Sequence, residues 1–272
     1  MPLLLKPVPA SRGLRWMRDA FALFARRPLA FTSLFVIFLF AALMVSLVPL
    51  VGGVLQMAAL PLLSLGFMVA AQSALLDGPV RPAQFIEPLR TDPANRRSLL
   101  ILCAIYGASA VAILLLCDTI SEGALRRLQL LMSRPDAPEA QIDALLSEPG
   151  VFWGAITGGV LGTLLSVPFW HAPALVHWGR QGVGQALFSS TLAVWRSRGA
   201  FFVYSMAWAL LIVVFGIAAA AIFGLLGQRQ MASVLAVPAG LLFSTVFYVS
   251  LLFTFNDSFG GGSVVPAQEP AP

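Results

Sequence analysis

Charge is scarce in this chain. Asp, Glu, Lys and Arg together make up 11% of its 272 residues, against about 25% in an average soluble domain. Lysine occurs once, at Lys6, and histidine and cysteine twice each. Hydrophobic residues reach 58% and the mean hydropathy is +0.86. A water-soluble fold of this length cannot hide that much apolar side chain, so the composition excludes a simple soluble domain and requires lipid as part of the solvent.

The other shortages exclude chemistry. Cys103 and Cys117 share one apolar run. In a helix they would stand about 21 Å apart along the axis, beyond the roughly 7 Å reach of a disulfide. They read as small apolar packers. There is no HExxH pair, no phosphate-binding loop ending in Lys-Ser/Thr and no GxSxG elbow. The apolar runs hold no Lys, Arg, Asp or Glu in their interiors, and apart from the two histidines only Gln56, Gln72, hydroxyls and Tyr106, Tyr204 and Tyr248. Pumps and ion-coupled carriers keep an ionisable group there. The expectation is a protein that is not an enzyme and has no cofactor.

What is present is length and periodicity. Six runs, near 29–49, 53–76, 98–118, 152–177, 200–226 and 231–255, each reach the roughly 20 residues needed to cross a bilayer. The first follows an arginine-rich lead and is long enough to remain as an anchor. Thirteen basic residues fall before the first run and in segments 77–97 and 178–199, against four (Arg126, Arg127, Arg134, Arg229) on the other side. The positive-inside rule then puts both termini in the cytoplasm. It also accounts for the formal charge of +5 without nucleic acid as a partner. The expected fold is an all-α membrane protein of six transmembrane helices. Its segments are a cytoplasmic lead (1–28), a membrane domain (29–259) with a periplasmic helical insertion (119–150), and a disordered tail (260–272).

The six runs pair into three hairpins. RRPLAFTSLF (26–35), RRSLLILCAIY (96–106) and RSRGAFFVYS (196–205) each launch a helix from arginines, a parallel repeat of a kind that membrane folds use. An amphipathic interfacial segment precedes each hairpin. In the first, Leu14, Met17, Phe21 and Phe24 share a face opposite Arg15, Arg18, Asp19 and Arg26, which suits a helix lying on the inner leaflet. The insertion carries six carboxylates, including Asp118, Glu122 and Glu148, without the ordered spacing of a calcium loop. It reads as a solvated cap of two short helices, with capping-box patterns at Thr119–Glu122 and Asp136–Glu139.

Small residues recur every fourth position: Gly154, Gly158, Gly162 and Ser166 in the fourth run, Gly216, Ala220 and Gly224 in the fifth, and Gly240 in the sixth. In lipid, close approach at such residues holds helices together. The stripes predict a compact bundle, a homo-oligomer or docking of other membrane proteins. Pro61, Pro168, Pro173 and Pro238 should kink their helices.

The densest cluster is FWHAPALVHW (169–178), which contains both histidines. Six residues apart, His171 and His177 differ by about 120° around a helix, poor geometry for a shared metal. The expectation is a proline-broken helix end whose freed carbonyls take donors from imidazole or indole N–H groups. Trp178 and Arg180 would lie at the interface. The functional alternative is a pocket for lipid headgroups lined by Trp170, His171, His177, Trp178 and Arg180.

FWHAPALVHW, WRSRGAFFVY (195–204) and TFNDSF (254–259) resemble an uncharacterised family of proteobacterial multi-pass inner-membrane proteins, the BPSS-type membrane proteins. GLRWMRDAFALFARRPLAF (13–31) and VPLVGGVLQMAALPLLSLG (48–66) are similar to the same family. The resemblance implies the bacterial inner membrane and transfers no catalytic residue. Function is then expected to be a non-enzymatic role in envelope organisation or complex assembly, with membrane lipids as neighbours. The alternative is a carrier or lipid-handling protein with a pocket at the kinked fourth span.

Overall fold

A computed structural model describes residues 4–49, 51–90, 92–134 and 138–260. Helices occur at α1 (Arg12–Arg26), α2 (Pro28–Ser46), α3 (Gly52–Leu75), α4 (Glu87–Arg90), α5 (Pro93–Ile120), α6 (Ala124–Met132) and α7 (Glu139–Leu146). They continue with α8 (Pro149–Phe169), α9 (Ala172–His177), α10 (Val183–Arg196), α11 (Arg198–Leu225) and α12 (Arg229–Ser258), and a 3-10 turn covers Pro82–Phe85. Among the described residues there is no strand. Six stretches are long and apolar enough to span a membrane: α2, α3, α5, α8 with α9, α11 and α12 from Val234 onward. They form three hairpins, each entered through an interfacial element: α1, the 3-10 turn with α4, and α10.

Local chemistry sets the boundaries. Pro28, Pro93 and Pro149 occupy first helical turns, where a missing N–H costs nothing. Asp92 caps α5 by accepting from the Ala94 amide at 3.1 Å. Gly123, at φ 74°, makes the turn from α5 into α6, a conformation glycine adopts without strain. That turn corrects one sequence reading. Thr119–Glu122 is no capping box: Thr119 lies inside α5, donating to the Leu116 carbonyl, because the apolar helix runs through it. The other box includes Asp136, which lies outside the described residues. Pro138 precedes α7 as its cap instead of starting it, and the tail beyond 260 is likewise outside them.

The first amphipathic helix does more than lie on a surface. Its buried residues are Gly13, Trp16, Ala20, Leu23 and Phe24, while Leu14 is 55% exposed. The face that docks against α11 and α12 overlaps the expected stripe: Phe24 is buried, Phe21 stacks on Trp208 of α11 at 5.9 Å, Met17 is half-buried, and Leu14 faces out. Gly13 permits this approach, since a Cβ there would collide with the Ala200 carbonyl oxygen. The chain start is fixed as well: the Lys6 amide donates to the Ser258 carbonyl at 2.9 Å and the Val8 amide to Ser197 Oγ at 3.2 Å.

The core occupies the half of the membrane domain nearest the termini. Trp16, Phe31, Phe67, Leu99, Leu102, His171, Leu175, Tyr204 and Leu252 are fully buried there. The far half is open. Leu164, Leu210, Val213, Ile217, Leu225 and Val237 are exposed, and a Cβ on Gly162, Gly216, Gly224 or Gly240 would meet no atom of the described residues of another element within 4 Å. Two of the expected packing glycines do work within the protomer. Gly154 faces Leu125 and Ser121, and Gly158 faces Cys117 Sγ, so α8 lies along the end of α5. The expected compact bundle is thus corrected to a half-compact one: among the described residues, Gly162, Gly216, Gly224, Gly240 and the exposed Ala220 have no helix against them.

Candidate functional site

The histidine decapeptide lies where the fourth span breaks. α8 ends at Phe169, α9 begins at Ala172, and Trp170 and His171 form the bend. Pro173 stands in the first turn of α9, as its fixed φ allows. The expected source of donors for the break is corrected by the structure. Ser190 of α10 bridges it, donating through Oγ to the Val167 carbonyl at 3.0 Å and accepting from the His171 amide at 3.0 Å. The indole and imidazole go elsewhere, to Thr254 of α12.

Thr254 Oγ1 donates its proton to the Leu251 carbonyl at 2.8 Å. With that hydrogen committed, its oxygen accepts from Trp170 Nε1–H at 3.1 Å and from His171 Nε2 at 3.2 Å. Nε2 is therefore the protonated ring nitrogen. Nδ1 is buried without a hydrogen-bond partner among the described residues. Around the ring stand Phe201, Phe255 and Phe259, at centroid distances of 5.9, 5.9 and 5.4 Å. This arrangement seals His171 and locks α9 to α12. It offers no opening for a substrate.

One helical turn along α12, a second polar contact joins the same cluster. Arg12 holds Asp257 by two parallel hydrogen bonds, Nε to Oδ2 at 2.6 Å and Nη2 to Oδ1 at 2.9 Å. Trp16 Nε1 donates to Oδ2 at 2.7 Å. Its hydrogen bond to Asp257 and the nearby carboxylate charge raise the Arg12 guanidinium above its ordinary range, against the opposing effect of burial. Phe201 links both contacts, its ring tilted against Trp16 at 5.2 Å and edge-on to Trp170 at 5.4 Å.

The remaining candidates sit at the rim. Asn95 Nδ2 approaches His177 Nδ1 at 3.3 Å, and Trp178 packs on Phe255 at 5.3 Å. Arg180, in a left-handed conformation at φ 51°, reaches Asp92 at 2.7 Å. Arg180, Asp92, Asn95 and Gln181 line a polar cleft of about 250 Å³. The five residues expected to form one pocket are therefore divided: His171 is sealed in the bend, Trp170 is half-buried at its edge, and His177, Trp178 and Arg180 lie outside it.

A separate pocket of about 140 Å³ borders the bend on its other side. Pro61 and Ser64 of α3, Tyr106 of α5, Ser166 and Trp170 of the fourth span, and Tyr248 of α12 contribute to its wall. Gln56 belongs elsewhere. It donates to the Ala42 carbonyl between α2 and α3 and lines an apolar groove with Phe38 and Leu55. Sequence reasoning noted Tyr106 and Tyr248 as interior polar groups. It missed the roles of Ser190, Thr254 and Asp257: the first carries no motif, the other two lie in TFNDSF, and all three acquire meaning only when distant helices meet.

A relative decides the family. A probable inner membrane protein of Burkholderia thailandensis is 33% identical over 264 residues, spanning 97% of this chain and 94% of its own length. The chain belongs to that family of inner membrane proteins. With six apolar helices, it is a multi-pass protein of the bacterial inner membrane. No family model matches the sequence, and no solved structure matches it.

Proposed function

We propose that the protein is a non-enzymatic assembly component of the inner membrane, which organises envelope complexes through the open half of its bundle. The observation that carries this is the contrast between its two halves. Near the termini the helices are locked by Trp16, His171, Thr254 and Asp257. Away from them, Gly162, Gly216, Gly224 and Gly240 stand at lipid depth with nothing against them among the described residues. Glycine in an isolated helix costs about 1 kcal/mol relative to alanine and returns that cost only where another backbone comes close. The partners that fit are helices of a second copy or of other membrane proteins, embedded among lipids.

Both termini lie in the cytoplasm on this reading, supported by the thirteen basic residues in the lead and in segments 77–97 and 178–199. The α6–α7 insertion then projects into the periplasm. Photocrosslinkers placed at Gly216 and Gly224 test the assembly role: they should capture a reproducible protein partner in native membranes, whereas capture of lipid alone would remove it.

A second reading, lipid handling, is favoured by the pocket of about 140 Å³ beside the bend. It draws on Trp170 and leaves His171 sealed.

A further inference from the structure

The pocket beside the bend lies close to the middle of the bilayer. Tyr106 stands about 20 Å from the start of α5 and about 21 Å from its end, and Ser64 about 18 and 17 Å from the ends of α3, at 1.5 Å per residue. Two proline-bearing helices bound it, α3 with Pro61 and α8 with Pro168.

Its wall is apolar except for four hydroxyls. Ser64 and Ser166 spend their protons on their own helices, donating to the Pro61 and Thr163 carbonyls at 2.8 and 2.7 Å. Their oxygens can only accept. The phenols differ. Tyr106 and Tyr248 are near enough to interact electrostatically, and neither hydroxyl has a hydrogen-bond partner among the described residues. Their rings are held in place, Tyr106 edge-on to Phe169 at 5.0 Å and Tyr248 stacked on Phe67 at 5.3 Å. Hydrocarbon offers a phenol no acceptor, so an unpaired O–H at this depth is costly until something supplies one.

The volume limits the ligand. A cavity of about 150 Å³ takes a benzene-sized ring, and this one measures about 140 Å³. Depth limits it further. The ester carbonyls of diacyl lipids sit at the edge of the hydrocarbon, about 15 Å from the midplane of a core about 30 Å thick. We infer that the pocket binds a membrane-soluble ring bearing carbonyl acceptors, the chemistry of a quinone headgroup, with the Tyr106 and Tyr248 hydroxyls donating to it. This deepens the lipid-handling reading and rests on it.

The test uses the full chain in phospholipid nanodiscs, with a decyl-substituted benzoquinone as probe and quenching of tryptophan fluorescence, Trp170 included, as readout. Wild type should quench saturably. Tyr106→Phe/Tyr248→Phe keeps both rings and their packing, and should weaken binding about tenfold, as expected for two lost hydrogen bonds. Ser166→Leu, which fills the pocket, should abolish the saturable phase, and decylbenzene, which lacks the carbonyls, should not compete. Quenching that rises linearly with probe, is equal in the double variant, or is displaced by decylbenzene overturns the inference. Tight retention of diacyl phospholipid without saturable ring binding overturns it too, while leaving lipid handling standing.

Discussion

Arg12 and Asp257, 245 residues apart in sequence, are joined by a bidentate ion pair, so the first helix of the chain fastens the end of the last. The geometry is the strong form of this interaction, and Trp16 adds a third donor to the same carboxylate. Because the lead helix also packs on α11, the pair ties the first hairpin to the third.

Replacing Asp257 by Ala should lower stability by about 1–3 kcal/mol, since Arg12 and the Trp16 indole both lose their acceptor. The side chains are 31% and 23% exposed, which keeps the loss below that of a fully buried pair. Thermal unfolding in mild detergent measures it, and an unchanged midpoint would show the clamp to be ornamental. The guanidinium is raised above its ordinary range, so its contribution is complete below that range and lost only as pH rises beyond it. The gap between wild type and Arg12→Gln should therefore stay level from about pH 7 to about pH 10; a gap that closes on the alkaline side contradicts the assignment.

Thr254→Val preserves shape and removes the acceptor shared by Trp170 and His171. Two buried donors are orphaned, at about 1–3 kcal/mol each. The control is Thr191→Val, whose exposed hydroxyl only returns to the Leu187 carbonyl of its own helix and should shift stability by less than about 0.5 kcal/mol. Equal effects in the two variants would mean that the bend is not held by Thr254.

Gly13→Ala should cost about 1–3 kcal/mol by forcing α1 away from α11, because the new methyl group meets the Ala200 carbonyl oxygen. Gly199→Ala, where a Cβ would lie 3.4 Å from Ala10 Cβ, should be nearly neutral. Protease accessibility of the lead segment reports the difference directly.

The threading has its own check. A reporter fused after Arg134 should be active only in its periplasmic form, and cytoplasmic activity there would reverse the orientation.

The six spans and their hairpin pairing were legible because hydropathy over about 20 residues is a local signal with a physical threshold. The break in FWHAPALVHW was legible for the same reason, as proline acts on its own helix. What closes that break was not. Ser190 and Thr254 are ordinary hydroxyls on helices that meet the bend only after folding. The packed face of α1 was legible in part: Phe21 and Phe24 of the apolar stripe do meet the protein, but the docking centres on the adjoining Gly13, Trp16 and Ala20. The small-residue stripes announced close approach without saying to what. Gly154 and Gly158 meet α5, its following turn and the start of α6, whereas Gly162, Gly216, Gly224 and Gly240 meet nothing among the described residues.

The central claim is that this open half is filled by another protein. The mass of the particle extracted in mild detergent tests it most directly, against the 29.0 kDa of one chain. Wild type should run as a larger protein assembly. The triple variant Gly162→Leu/Gly216→Leu/Gly224→Leu should fall to a single chain with its unfolding midpoint unchanged, because those positions touch nothing among the described residues. A wild-type particle of one chain, with no protein attached under the gentlest extraction, would contradict the account.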